Sequence, residues 1–233
     1  MGKIVNKKTL GNQKKLKYAF LYTIHNAFNE LELNTCFFNK SKFLCDNFDV
    51  IINCNGTKNS RLDEIANKFN TNRIVYFYDI ERKSQQYMGP PEQINDCYEE
   101  LIEYELVLHL HADVYIVFDK GIKNFIEKYE SETQKKDFYV FQLPNRINQY
   151  AFDAWFFKPD ENKNIFKHWE KYVDGARGHA EPFFYDVIKD FNCSTGLFDR
   201  GPCAGMQESL EPISGLLDTT DINKAKYFLE KYK

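Results

Sequence analysis

Apolar runs that leave no polar face constrain this chain most. YAFLYTI (18–24), DVIINC (49–54), RIVYFYDI (73–80) and YELVLHLHADVYIVF (104–118) are largely apolar at odd and even positions alike. Strands of that kind are covered on both sides, as inside a mainly parallel α/β sheet. The segments between them carry helical signals. Residues 26–45 have room for a helix. SRLDEIANKFN sets Leu62, Ile65, Ala66 and Phe69 at helical spacing, with Ser60 as N-cap. PEQINDCYEELIEYE begins with proline and puts Ile94, Cys97, Tyr98, Leu101 and Ile102 on one face. The order is β-α-β-α-β-α-β, for which right-handed crossovers are expected.

The second half is less regular. GIKNFIEKYESETQ, ENKNIFKHWEKYV, EPFFYDVIKDF and DINKAKYFLEKYK read as helices. DFYVFQL (137–143) and FDAWFFKP (152–159) read as strands joined by PNRINQYA. The expected fold class is α/β, Rossmann-like, with a mainly parallel central sheet, helices on both faces and an irregular C-terminal part. With 233 residues, one domain over 18–233 is expected, preceded by a basic, solvated tail over 1–17.

Composition narrows the function classes. Hydrophobic residues make up 43% and charged residues 28%, a globular balance. A net charge of -3 offers no whole-molecule attraction to nucleic acid. No apolar run reaches the roughly 20 residues of a membrane helix, and MGKIVNKKTLGNQKKLK lacks the apolar core of a secretory signal. The six cysteines form no CxxC pair, so free thiols in a reducing compartment are expected. These readings imply a soluble, cytoplasmic protein, with peripheral membrane contact left open.

In open parallel sheets ligands bind beyond the carboxyl ends of the strands. The first run closes with Thr23, Ile24, His25 and Asn26, which could contact a base, ribose or phosphate, or cap the next helix. The second closes with Asn53, Asn55 and Gly56, a ligand-approach turn or an ordinary one. The third closes with Asp79, able to accept from ribose hydroxyls or to serve the turn. In the fourth, His109, His111 and Asp113 share one face of the strand. They span roughly 13 Å, too far for one ion, but His111 and Asp113 alone are close enough. A hard carboxylate suits Mg²⁺ or Mn²⁺, and imidazole suits Mn²⁺ better. His109 reads as a hydrogen-bonded core histidine. Literally, HLHAD also fits a metal-dependent hydrolase, although few other histidines are available.

With these residues in view, the chain resembles the nucleotide-sugar-dependent glycosyltransferases of the GT-A fold over roughly residues 18–190. VLHLHADVYIV (107–117) matches the family's apolar run ending in Asp-x-Asp, with His111-Ala112-Asp113 in its place. YMGPPEQINDCYEELIEYELV (87–107) is similar to the family's approach to that strand. The substitution of His111 for the first acidic residue removes a negative charge. The resemblance implies a nucleotide-binding half over about 18–119 and an acceptor half over about 120–233. It implies transfer from a nucleoside-diphosphate sugar, UDP in the first instance, to a carbohydrate or glycoconjugate hydroxyl, assisted by Mn²⁺ or Mg²⁺. By position, Asp113 and His111 would meet metal and diphosphate. Thr23, His25, Asn26, Asn55, Gly56, Asp79 and His111 would bind the nucleotide sugar. Glu181 or Asp153 would deprotonate the acceptor. His179, Arg146 and Arg177 are candidate phosphate contacts, and Tyr150 a candidate sugar platform. A non-catalytic carbohydrate- or nucleotide-binding module is the alternative from another class.

Overall fold

The computed structural model describes residues 6–12, 14–55, 60–80, 89–141, 148–172, 180–199 and 215–232, with backbone alone for Asp79 and Ile80. Its strands are β1 (Asn6–Gly11), β2 (Tyr18–Ile24), β3 (Phe48–Asn55), β4 (Arg73–Ile80), β5 (Leu106–His111), β6 (Val114–Ile116), β7 (Phe138–Val140), β8 (Ala154–Phe157), β9 (Thr195–Leu197) and β10 (Leu216–Asp218). Its α-helices are α1 (Phe28–Lys40), α2 (Lys42–Asn47), α3 (Ser60–Ala66), α4 (Gly89–Leu101), α5 (Lys120–Ser131), α6 (Ala180–Asp190) and α7 (Ile222–Lys231). Glu161–Lys163 and Ile165–Tyr172 are 3₁₀ turns rather than the α-helix expected there.

Eight strands form one sheet in the order β1-β4-β3-β2-β5-β8-β7-β9. Its centre, β4-β3-β2-β5, is parallel, and β8 and β1 add antiparallel partners. The double-sided apolar runs have the expected cause. In β2, Phe20 and Tyr22 pack with Leu31, Phe38 and Leu62 on one face, whereas Ala19 and Leu21 pack with Ile94, Leu101 and Phe184 on the other. The sheet thus lies between two helical layers, each with its own core. No described helix is long and apolar enough to cross a membrane.

Two expectations are corrected. Residues 6–11, read as part of a solvated tail, form an edge strand paired with β4. Glu100 on α4 binds Lys7 Nζ at 2.5 Å and Lys15 Nζ at 2.8 Å, so two of the basic charges meet an acidic partner. The single run 104–118 is two strands. The chain leaves the main sheet after His111, turns at Ala112–Asp113, and continues as β6 paired with β10. Tyr115 there enters a third cluster with Leu33, Phe37, Leu217, Ala225 and Phe228. Apolar continuity reports burial but not which sheet supplies it.

Candidate active site

The strand order reverses beside β2: β3 and β4 lie to one side, β5 to the other. Such a reversal opens a crevice at the carboxyl ends, because the crossovers diverge to opposite sides. A cleft of about 270 Å³ lies there. Thr23, Ile24 and His25 line it from the end of β2, Asn55 from β3, and Glu30 from α1. Gly89, Pro90 and Gln93 of α4 face it, as do His111, Ala112 and Asp113, with Thr220 ahead of α7.

The His111-Ala112-Asp113 backbone is held from three directions. The His111 N–H donates to Asp153 O at 2.9 Å. Ala112 O accepts from Asn34 Nδ2, in α1, at 2.7 Å. Asp113 O accepts from the Thr219 N–H at 3.1 Å. Gly215, at φ +72°, lets the return segment start: its carbonyl accepts from Val117 and Phe118, and a Cβ would sit 2.1 Å from Phe118 O. Asp113 therefore lines the cleft from a fixed turn, which is pre-organisation of the kind a charge-stabilising group needs.

Beneath the turn, His109 is fully buried and packs on Trp155 and Phe152. Its Nε2 lies 2.9 Å from Thr23 Oγ1, across the β2–β5 pairing. Burial first, then the neighbouring His111, pushes its pKa well below the usual value, so it is neutral at pH 7. His109 is thus the core histidine its position suggested. His111 points the same way, with ring centroids 5.3 Å apart.

At the opposite wall, His25 Nδ1 lies 2.8 Å from Asn55 Oδ1 and 3.1 Å from Asn55 O. A carbonyl only accepts, so Nδ1 carries the hydrogen and Nε2 is left as the acceptor. Asn55 is 1% exposed, and its Nδ2 has no partner among the described residues. Behind it, Gln93 Nε2 donates to Ile24 O at 2.6 Å and Asn53 O at 2.9 Å, while Asn53 Nδ2 returns a bond to Gln93 O. That bracket ties α4 to the ends of β2 and β3.

Thr23, His25, Asn55, His111 and Asp113 therefore share one cleft. Asn26 does not line it; with φ of 59° it makes the left-handed turn into α1, a conformation Asn tolerates well. Asp153 meets His111 through its backbone, and neither Asp153 nor Glu181, at the start of α6, lines the cleft. Tyr150 packs on Tyr185 and Phe184, and Trp155 and Phe156 are core residues. Gly56, Arg146, Arg177, His179 and the Asp79 side chain lie outside the described residues. Sequence reasoning missed Glu30, Gln93, Asn34 and Thr220. Glu30 and Gln93 stand close to the recognised strand end and the GPP stretch, but only the packing of α1 and α4 turns them inward.

Among the described residues no three His, Cys, Asp or Glu side chains gather into a metal cage. The hydrolase reading of HLHAD needs such a cage and is not favoured. The pair His111 and Asp113 fits a different arrangement, in which one or two protein donors hold a hard cation together with substrate phosphates and water.

No known family profile matches the chain, and no curated protein does. Solved structures do match in fold. An active-site mutant of LgtC superposes with a TM-score of 0.60 at 9% identity, covering 91% of this chain and 94% of that one. A galactosyltransferase LgtC structure with donor and acceptor sugar analogues gives 0.56 at 10%, covering 92% and 96%. The mannosyltransferase PcManGT from Pyrobaculum calidifontis, in complex with GDP-Man and Mn²⁺, gives 0.54 at 9%, covering 82% and 56%. The glycosyltransferase GlyE of Streptococcus pneumoniae TIGR4 gives 0.57 at 8%. The match covers 80% of this chain and 46% of GlyE, so the chain spans about half of that protein. At such identities the likeness is one of fold, and the fold of this chain is that of the GT-A glycosyltransferases.

Proposed function

We propose that this chain is a glycosyltransferase that moves a sugar from a nucleoside-diphosphate sugar to a hydroxyl of a carbohydrate or glycoconjugate. The observation that carries the reading is the Asp113 turn, pinned at the rim of the switch-point cleft. In this reading His25, Asn55 and Thr23 face the nucleoside and Asp113 faces the diphosphate. Similar folds described with donor and acceptor analogues, or with GDP-Man and Mn²⁺, support it.

Sugar transfer builds negative charge on the departing diphosphate and positive charge on the sugar. A divalent ion, Mn²⁺ or Mg²⁺, would neutralise the leaving group when bound. Asp113 would hold that ion's charge at a fixed place, with His111 as the neighbouring donor. The acceptor hydroxyl must lose its proton, a task typically worth about 10²- to 10⁴-fold in rate. Asp153, whose carbonyl already holds His111, and Glu181, in the first turn of α6, are the candidate bases.

The test is nucleoside-diphosphate release from UDP- and GDP-sugars over an acceptor panel, with thermal shifts by UDP and GDP in the presence and absence of Mn²⁺. Asp113→Asn is expected to remove release while leaving the unfolding midpoint unchanged. Wild-type release in that variant overturns the role of Asp113. Nucleotide binding with no release over a broad acceptor panel would identify a binding module instead.

A further inference from the structure

The cleft carries a carboxylate that the Asp-x-Asp comparison does not account for. Glu30 lines it from the first turn of α1, and its carboxylate makes no hydrogen bond or ion pair among the described residues. Glu30 and Asp113 line the same cleft from different elements, α1 and the turn after β5. No lysine or arginine among the described residues lines the cleft. A diphosphate entering there meets negative charge from two elements. A divalent cation arriving with the diphosphate would offset that charge. A ligand is independently called for on the opposite wall, where the buried Asn55 Nδ2 has no acceptor among the described residues.

We infer that Glu30 supplies the second carboxylate of the cleft, doing from α1 what an acidic residue at position 111 would do from the strand. Asp113 and Glu30 then bracket a divalent cation shared with the donor diphosphate, Glu30 directly or through water. This rests on the nucleotide-sugar reading of the same cleft. An acidic residue in a first helical turn also complements the helix dipole. A dipole role alone would alter helix stability without altering cation affinity, and the two are separable.

The experiment titrates Mn²⁺ into wild type, Glu30→Gln, His111→Asp and the double variant, with and without saturating UDP or GDP. Free Mn²⁺ is followed by its paramagnetic resonance signal. Glu30→Gln is expected to weaken Mn²⁺ binding in the ternary complex by about 10- to 100-fold. Adding His111→Asp to Glu30→Gln is expected to restore most of it, because the lost charge returns to the same cleft from the strand. Unchanged Mn²⁺ affinity in Glu30→Gln, or no rescue in the double variant, overturns the role of Glu30 and leaves the donor reading standing. If wild type binds neither UDP nor GDP with Mn²⁺, the donor reading itself fails, and this inference with it.

Discussion

Glu100 joins the N-terminal edge strand to the layer that forms the cleft. Its side chain is 4% exposed and meets Lys7 at 2.5 Å, Arg73 at 2.7 Å and Lys15 at 2.8 Å. Burial pulls its pKa upward, but the hydrogen bonds from Lys15, Lys7 and Arg73 outweigh it and bring the carboxyl from 4.5 to about 2. The folded state therefore binds this proton more weakly than the unfolded chain. The resulting stability is fully present above pH 4.5 and is lost as pH falls through about 2. A depression from 4.5 to about 2 corresponds to about 3 kcal/mol. Glu100→Gln keeps the shape, removes the charge and leaves Arg73, with its side chain 7% exposed, facing no carboxylate in that bond. Breaking a buried pair from one side typically costs about 3–5 kcal/mol, in agreement with the linkage figure. Urea unfolding of both proteins at pH 7, 4.5, 3 and 2 should show a gap of about 3 kcal/mol at pH 7 that closes toward the acid end. Taking the difference between the two curves removes the contributions of other depressed carboxyls, such as Glu105 and Asp137, common to both. A gap below about 1 kcal/mol at pH 7, the range of an exposed pair, would refute the reasoning, as would a gap independent of pH.

Two further substitutions test the framework of the cleft. Asn34→Ala leaves the Ala112 carbonyl without its 2.7 Å donor and should cost about 1–3 kcal/mol in urea unfolding. The same variant should bind UDP or GDP with Mn²⁺ more weakly, as read by calorimetric titration. Tyr22→Phe removes a fully buried hydroxyl with no partner among the described residues, so unfolding should show a change within about 1 kcal/mol, toward stabilisation.

Much of the frame was legible because two-sided burial writes itself into composition. Strands β2, β3 and β4 match their apolar runs to within a residue, and α3 follows its periodicity, whereas the span with room for one helix holds two, α1 and α2. His109 was legible for the same reason, since a lone imidazole inside such a strand must be buried and bonded. The division of 104–118 was not. Val114–Ile116 is as apolar as Leu106–Leu110, and the turn between them exists because Asn34, Asp153 and Thr219 hold its peptide groups. The edge strand β1 was hidden because NKKTLG carries no buried face. Its place is set by pairing with β4 and by the Glu100 ion pairs.

The amino-acid order by itself determined the parallel core and the strand ends at which polar groups emerge, because continuous apolar runs and helical spacing are local properties. Tertiary structure decided which of those ends share a cleft. Thr23, Asn55 and His111 meet because β2 lies between β3 and β5. Glu30, Gln93 and Thr220 join them only through the packing of α1, α4 and the C-terminal return. Separation along the chain carries no record of that proximity, which arises from burying both faces of one sheet at once.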